Sequence, residues 1–238
     1  LQIAKALMGV EIEQNLLFDV TLHAATVLST IVVLWSEVAR LLRGLFSRRF
    51  NEEQAYVLKL LLSMIPIGIV GFTLKDRLDA LLESPAILLV VGCMLLVTAA
   101  LLAFAYYAKP RQKAQLSYRD AFLIGVAQAV AALPGLSRSG STIATGLLLG
   151  NRKQTVAQFS FLMVLAPILG ETFLELMKGN LGAQAIGSAP LAAGFVAAFV
   201  VGCLACKFMI EIVKRGKLVW FALYCAAAGT VSILSYVL

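Results

Sequence analysis

The residues with the clearest chemical potential form one short run, PGLSRSGST, at residues 134–142. Arg138 is a permanent cation whose planar guanidinium can bind two phosphate oxygens at once. Glycines beside it allow a sharp turn that aims backbone N–H groups at a ligand. We expect Ser141 or Thr142 to cap a helix here, since the positive end of a helix favours an anion. The run therefore predicts an oxyanion site for phosphate or pyrophosphate, formed by Gly135, Ser137, Arg138, Ser139, Gly140, Ser141 and Thr142.

The rest of the chain is too apolar for a soluble protein. Of its 238 residues, 61% are hydrophobic and 14% are charged, against about 45–50% and about 25% in soluble domains. Apolar stretches of about 20 residues, enough to cross a bilayer, recur along it. We therefore expect one integral membrane domain over residues 1–238, of the all-α polytopic class. An arginine within it costs roughly 2.5–3.5 kcal/mol to insert, which an anionic ligand would offset.

The pattern predicts membrane helices at residues 17–43, 56–74, 85–108, 157–177, 190–213 and 218–237. Segment 120–150 differs, because its two apolar halves are each about ten residues long, too short to span. We expect Pro134 to end the first half. Two half-helices around a polar break predict a re-entrant helix-loop-helix, which is tolerated at membrane depth only where protein or water surrounds it.

The net charge of +7 has a topological origin. Most lysines and arginines fall on one side if the helices alternate and the hairpin returns to its starting side. The positive-inside rule makes that side cytoplasmic. This distribution excludes a nucleic-acid partner. The basic residues on that side are Arg40, Arg43, Arg48, Arg49, Lys109, Arg111, Lys113, Arg119, Arg152, Lys153, Lys214, Arg215 and Lys217.

Two structural alternatives accompany these predictions. Arg138 could pair with a buried carboxylate, with the serines satisfying the backbone of a broken helix. Asp19 and His23 stand at i and i+4, so they share a helix face. They could form a packing hydrogen bond, or His23 could transfer protons near a substrate.

The chain resembles a known family through three stretches. These are QAVAALPGLSRSGSTI at 128–143, FSFL at 159–162 and FDVTLHAAT at 18–26. Together they are similar to the undecaprenyl-pyrophosphate phosphatase (bacitracin-resistance) family, and the resemblance extends over essentially the whole chain. The PGxSRSGxT pattern is its most specific part.

The resemblance implies a hydrolase that converts undecaprenyl pyrophosphate to the monophosphate and inorganic phosphate, recycling the carrier of cell-wall synthesis. It implies two inverted repeats, each with a re-entrant hairpin, of which the first is truncated here. Arg138 would clamp the pyrophosphate, Ser137 would contact it or act in catalysis, and Thr142 would support the bound phosphates. Gln128, Asp19 and His23 are accessory candidates.

The same resemblance implies the surroundings of the reaction. The cofactor would be a divalent cation, Mg²⁺ or Ca²⁺, with unknown ligands. The partners would be the polyprenyl pyrophosphate and membrane lipids in the bacterial plasma (inner) membrane, and a homodimer is left open. The rival function is a transporter or flippase for an anionic lipid, because broken helices also form anion carriers.

One family signature is missing. The glutamate-rich EGxTE segment that continues into PVSSTGH is not in this sequence and would precede Leu1. Glu11 and Glu13 lack that continuation, and His23 is not the histidine of that motif. We expect a complete chain of this sequence to be inactive, whereas for a fragment half of the active site would lie upstream.

Overall fold

The structure is a computed structural model, and it describes residues 16–47, 49–82, 84–107, 113, 115–177 and 188–237. Within these residues the regular elements are helices, with one isolated bridge between Lys113 and Asn151. The all-α class predicted from the sequence is confirmed.

The helices follow one another in this order: α1 Leu16–Val33, α2 Trp35–Leu45, α3 Glu52–Thr73, α4 Lys75–Leu82, α5 Ile87–Tyr107, α6 Tyr118–Val130, α7 Arg138–Leu148, α8 Lys153–Met177, α9 Ser188–Lys214 and α10 Leu218–Val237. Four of them, α3, α5, α9 and α10, are long and apolar enough to cross a membrane. The count becomes five if α1 and α2 form one bent span. The predicted helix at 157–177 lies within α8, which is not among these spans.

The single helix predicted at residues 17–43 is wrong in one respect. The chain breaks at Leu34, whose ψ of 24° is not helical, and the two parts meet at a bend of 85°. No proline or glycine marks this break. A change of composition marks it instead, because the last turns of α1 are mostly apolar whereas α2 carries Glu37, Arg40 and Arg43 on one side.

The described residues form two compact units. Those within 59–160 and 212–237 form the first unit, and those within 16–58 and 161–211 form the second. In the first unit α5 and α10 pack closely through small residues. A Cβ built on Gly92 would lie 2.9 Å from the Gly229 carbonyl oxygen, and one built on Gly229 would lie 2.9 Å from that of Gly92. The buried Ser232 hydroxyl donates to the Leu88 carbonyl at 2.8 Å. Small residues and a hydroxyl bond of this kind hold membrane helices together where lipid removes the hydrophobic drive.

The first unit also contains the predicted hairpin, formed by α6 and α7. Gly125 of α6 packs against the Ser63 backbone of α3. A Cβ on Gly146 of α7 would meet Val156 Cγ1 at 2.5 Å and Ile124 Cδ1 at 3.2 Å, so bare backbone fills this contact. The two half-helices are therefore packed against protein on one side, while Phe122, Leu123 and Val126 on the other side of α6 remain exposed.

The two ends of the hairpin are joined at its base. The Lys113 N–H donates to the Gly150 carbonyl at 2.9 Å, next to the bridge with Asn151. Asp120 of α6, only 4% exposed, lies 3.4 Å from Lys113 Nζ and takes a hydrogen bond from Asn151. Because the chain enters and leaves beside the same residues, segment 118–150 returns to its starting side, as the sequence predicts for a re-entrant element.

The second unit brings α1 and α9 together through small residues. Gly194 faces the Phe18 ring, and a Cβ on Gly202 would lie 2.5 Å from Ser29 Oγ. Cys203 Sγ donates to the Ser29 carbonyl at 3.8 Å. The inverted repeat and the single-domain assignment remain predictions.

The contacts of Asp120 with Lys113 and Asn151 at the hairpin base, called the clasp below, make the stability of the fold depend on pH. Burial raises the pKa of Asp120, but the hydrogen bonds from Asn151 and Ser117 and the charge of Lys113 outweigh it, so the pKa falls below its ordinary 3.8. A lowered carboxyl pKa stabilises the fold above the unfolded-state value and loses that effect as the pH falls through the folded-state value. We expect Asp120→Asn to cost about 1–2 kcal/mol at neutral pH.

Thermal unfolding of the purified protein and of Asp120→Asn, followed from pH 7 downward, measures this effect. The difference should begin to shrink as the pH falls to the ordinary aspartate pKa of about 3.9 and should disappear below the lower folded-state pKa. Asp76→Asn, at an exposed position in α4, is the matched control and should change little. A difference that stays constant with pH would contradict the ionic origin of the clasp.

Candidate functional site

The predicted oxyanion run occupies the break between α6 and α7. Helix α6 ends at Val130, four residues before Pro134, so the proline does not itself end the helix as expected. Successive tight turns follow, in which the Ala132, Leu133 and Leu136 N–H groups bond to carbonyls three residues earlier at 3.2 Å. These bonds satisfy three N–H groups of the break internally, which reduces the cost of a non-helical backbone at membrane depth.

Gly135 is the one position in the break that requires glycine. Its φ is +90°, a conformation that side chains rarely adopt. A Cβ there would also lie 2.6 Å from the Val91 backbone oxygen of α5. Gly135 therefore turns the chain and lets it lie directly against α5, as the sequence predicts for the turn.

Ser137, rather than Ser141 or Thr142, caps α7. Its backbone is extended and its Oγ accepts a hydrogen bond from the Gly140 N–H at 3.1 Å. The prediction that Ser141 or Thr142 caps the helix is wrong, because both lie inside α7. The N–H of Ser137 donates to Thr98 Oγ1 of α5 at 3.1 Å, and that hydroxyl donates to the Met94 carbonyl at 3.0 Å.

Arg138 is the first residue of α7, and its side chain is exposed. Within the described residues it forms no ion pair with a carboxylate. Helix geometry leaves the N–H groups of Arg138 and Ser139 without an intrahelical partner, whereas that of Gly140 is bonded to Ser137. A free guanidinium and two free N–H groups thus stand together at the positive end of a helix, the arrangement that binds oxyanions.

The remaining residues of the run support this end of α7. Gly140 has no unusual φ, contrary to the predicted turn. It is needed for close packing, since a Cβ there would lie 3.0 Å from Thr98 Cγ2. The buried Thr142 hydroxyl lies 2.9 Å from the Arg138 carbonyl and 3.2 Å from that of Ser139. Thr142 therefore holds the first turn and is turned away from solvent.

Two buried polar side chains lie on the helices that flank the break, Gln128 on α6 and Ser141 on α7. The hydroxyl of Ser141 and both amide atoms of Gln128 are buried and have no hydrogen-bond partner in the part of the chain that the structure describes. Gln128 stands one turn after Ile124, and Thr142 one turn before Gly146, so the α6–α7 contact extends toward the break through polar groups. Unsatisfied buried groups cost about 1–3 kcal/mol each. We expect ordered water or a bound ligand to complete them.

The other accessory candidates lie in the second compact unit. His23 is half-buried on α1, and its Nδ1 has no hydrogen-bond partner among the described residues. The side chain of Asp19 lies outside the described residues, so the proposed Asp19–His23 bond remains a prediction.

The described residues do not supply a metal site. They contain no group of three or more His, Cys, Asp or Glu side chains that could hold an ion. We therefore assign no metal ligand within them.

Sequence reasoning missed Thr98. It is fully buried in α5, 39 residues before its partner Ser137. A threonine in an apolar membrane helix is a weak signal that a distant element needs a hydrogen bond, and the sequence offers no clue to which element.

Comparisons with known proteins identify the family of the chain. The family model for bacitracin resistance protein BacA matches residues 1–231. A protein of Parabacteroides distasonis named undecaprenyl-diphosphatase is 61% identical over 98% of this chain and 88% of its own length. Proteins of the same name from Bacteroides thetaiotaomicron and Oceanobacillus iheyensis are 57% and 32% identical, over 99% and 95% of this chain and 89% and 85% of their own lengths.

With a family model covering nearly its whole length and relatives this similar, the chain belongs to the BacA family of bacitracin resistance proteins.

Proposed function

We propose that this chain hydrolyses undecaprenyl pyrophosphate to undecaprenyl phosphate and inorganic phosphate, and so recycles the lipid carrier of cell-wall synthesis. The observation that carries the proposal is the unpaired Arg138 at the capped N-terminus of α7, in a re-entrant hairpin of a membrane protein. The name of the similar proteins, undecaprenyl-diphosphatase, supports the choice of substrate.

The geometry suits hydrolysis of a phosphoanhydride. Water attacks the terminal phosphorus and gives up a proton as the bond to the bridging oxygen breaks, so negative charge builds on the leaving oxygen and is spread over the phosphoryl oxygens. Enzymes speed phosphoryl transfer mainly by positioning and by neutralising that charge. Arg138 can grip two oxygens, and the free N–H groups of Arg138 and Ser139 can donate to others.

We assign Ser137 a contact role. Its Oγ already accepts the Gly140 N–H, which leaves the hydroxyl hydrogen to donate to a phosphate oxygen. Within the described residues no histidine or carboxylate hydrogen-bonds this hydroxyl, so no base there activates it as a nucleophile. Gly135, Gly140, Ser141 and Thr142 shape and support the loop, and Gln128 would hold an ordered water beneath it.

A divalent cation, Mg²⁺ or Ca²⁺, belongs to the proposal through the family. When bound, it would neutralise phosphate charge. The described residues contain no group of three or more His, Cys, Asp or Glu side chains that could be its ligands. No step above depends on the cation.

The proposed setting is the bacterial inner membrane. A polyprenyl tail can remain among lipids while its head group reaches the hairpin. A transporter or flippase would use the same anion contacts without breaking the anhydride, so released phosphate separates the two functions.

Replacement of Arg138 tests the assignment. We expect Arg138→Ala to lower kcat/KM for lipid pyrophosphate by about 10²–10³-fold, the typical effect of losing an oxyanion donor. Arg138→Lys should still lose at least about tenfold, because an ammonium cannot form the bidentate contact. Phosphate released by the purified protein is the measurement.

Arg77, exposed on α4 and outside the hairpin segment, provides matched controls. Arg77→Ala and Arg77→Lys should retain activity within about twofold, as surface changes usually do. Full activity in both Arg138 variants would remove Arg138 from the site. Saturable binding of lipid pyrophosphate without phosphate release by the wild-type protein would favour transport.

Gly135→Ala tests the turn that positions Arg138. The positive φ costs a non-glycine residue about 1–2 kcal/mol, and the added Cβ would collide with Val91. We expect both lower thermal stability and a loss of kcat.

Gly68→Ala is the matched control, since a Cβ there meets nothing within 4 Å and its helix favours alanine. It should be neutral or slightly stabilising. Wild-type kcat in Gly135→Ala would show that the turn does not position the site.

A further inference from the structure

A second polar site lies in the second compact unit, and its residues are not among those of the hairpin site. An open groove of about 610 Å³ runs along α2, lined by Trp35, Ser36, Ala39, Arg40, Arg43, Gly44 and Glu53. Six of these residues recur at helical spacing on one face of α2. The seventh, Glu53, comes from the start of α3. We propose that this groove binds a phospholipid whose head group carries both a phosphate and a primary ammonium, as phosphatidylethanolamine does.

The orientation and composition of α2 place it at a membrane surface. It meets α1 at 85°, so if α1 runs across the bilayer, α2 lies along the interface. Its apolar flank remains uncovered, with Trp35, Leu42 and Leu45 between 43% and 61% exposed. A strongly amphipathic helix with Arg40 and Arg43 on one face and the exposed Leu42 and Leu45 beside that face is typical of interfacial helices.

The charges of the groove match a zwitterion better than a simple anion. Arg40 is already paired with Glu37 at 2.7 Å. Arg43 and Glu53 line the groove, and neither forms an ion pair with another described residue. An unpaired cation fits a phosphodiester, whereas an unpaired carboxylate beside it would repel a head group that is only anionic and would attract an ammonium.

The groove is held open by fixed backbone. The Asn51 amide donates to the Gly44 carbonyl at 2.9 Å, and the Gln54 amide donates to the Leu45 and Ser47 carbonyls at 3.1 and 3.0 Å. Glu53 packs directly on Gly44. The C-terminal end of α2, where the helix dipole is negative, therefore lies beside Glu53, so the ammonium is expected there and the phosphate at Arg43.

The position of Trp35 makes binding measurable. The chain has two tryptophans, so Trp220→Phe leaves Trp35 as the only one. Lipids brominated on their acyl chains, titrated into this full-chain variant in detergent, should quench Trp35 fluorescence when they occupy the groove. We expect phosphatidylethanolamine to half-saturate at about tenfold lower concentration than phosphatidylglycerol or phosphatidylcholine, the effect of one charge-assisted contact.

Two charge variants and a control test the assignment in the Trp220→Phe background. Arg43→Gln should weaken phosphatidylethanolamine by about tenfold. Glu53→Gln should remove the preference over phosphatidylglycerol. Arg49→Gln, at an exposed arginine outside the groove, should bind as its parent does.

Equal quenching by the three lipids, tighter phosphatidylglycerol binding, or equal losses in Arg43→Gln and Arg49→Gln would overturn the proposal. Circular dichroism and elution as a single peak confirm that each variant is folded. The measurement involves no turnover, so its outcome is independent of the proposed hydrolysis.

Discussion

The stability of the break between α6 and α7 depends on which groups accept and donate its backbone hydrogen bonds. A chain that leaves helical geometry inside a membrane protein must satisfy its N–H and C=O groups without lipid or bulk water. Here tight turns over residues 131–136 satisfy most of the N–H groups, and Thr98 of α5 accepts the N–H of Ser137. Gly135 brings the turn against α5, and the Ser137 hydroxyl binds the N–H of Gly140. At the start of α7 the N–H groups of Arg138 and Ser139 are left without an intrahelical partner, so the cap that begins the helix also leaves donors for an anion.

Rigidity follows from this arrangement and is what the chemistry needs. The clasp of Asp120, Lys113 and Asn151 fixes the base of the hairpin. Bare backbone at Gly125 and Gly146 lets α6 and α7 pack closely with their neighbours. The first turn of α7 is held by the hydrogen bonds from the Ser137 N–H to Thr98 and from the Gly140 N–H to Ser137. An arginine fixed on such a turn presents its guanidinium to an oxyanion without large reorganisation, which is the condition for electrostatic stabilisation of phosphoryl transfer.

Much of this could be predicted from the sequence, because apolar length is a strong signal in membrane proteins. The helix predicted at 85–108 is observed at Ile87–Tyr107, and the one at 218–237 at Leu218–Val237. The hairpin was predictable because ten apolar residues cannot span a bilayer. The bend at Leu34 was not, since neither proline nor glycine marks it. The capping residue was ambiguous among several hydroxyls, and the contact with Thr98 depends on tertiary packing between distant segments.

A structure with a bound, non-hydrolysable methylene diphosphonate bearing a prenyl tail tests the central claim most directly. The account predicts phosphonate oxygens within hydrogen-bond distance of the Arg138 guanidinium and of the Arg138 and Ser139 N–H groups. A diphosphonate bound away from the break between α6 and α7, or an Arg138 side chain paired with a protein carboxylate while the diphosphonate is bound, would contradict it.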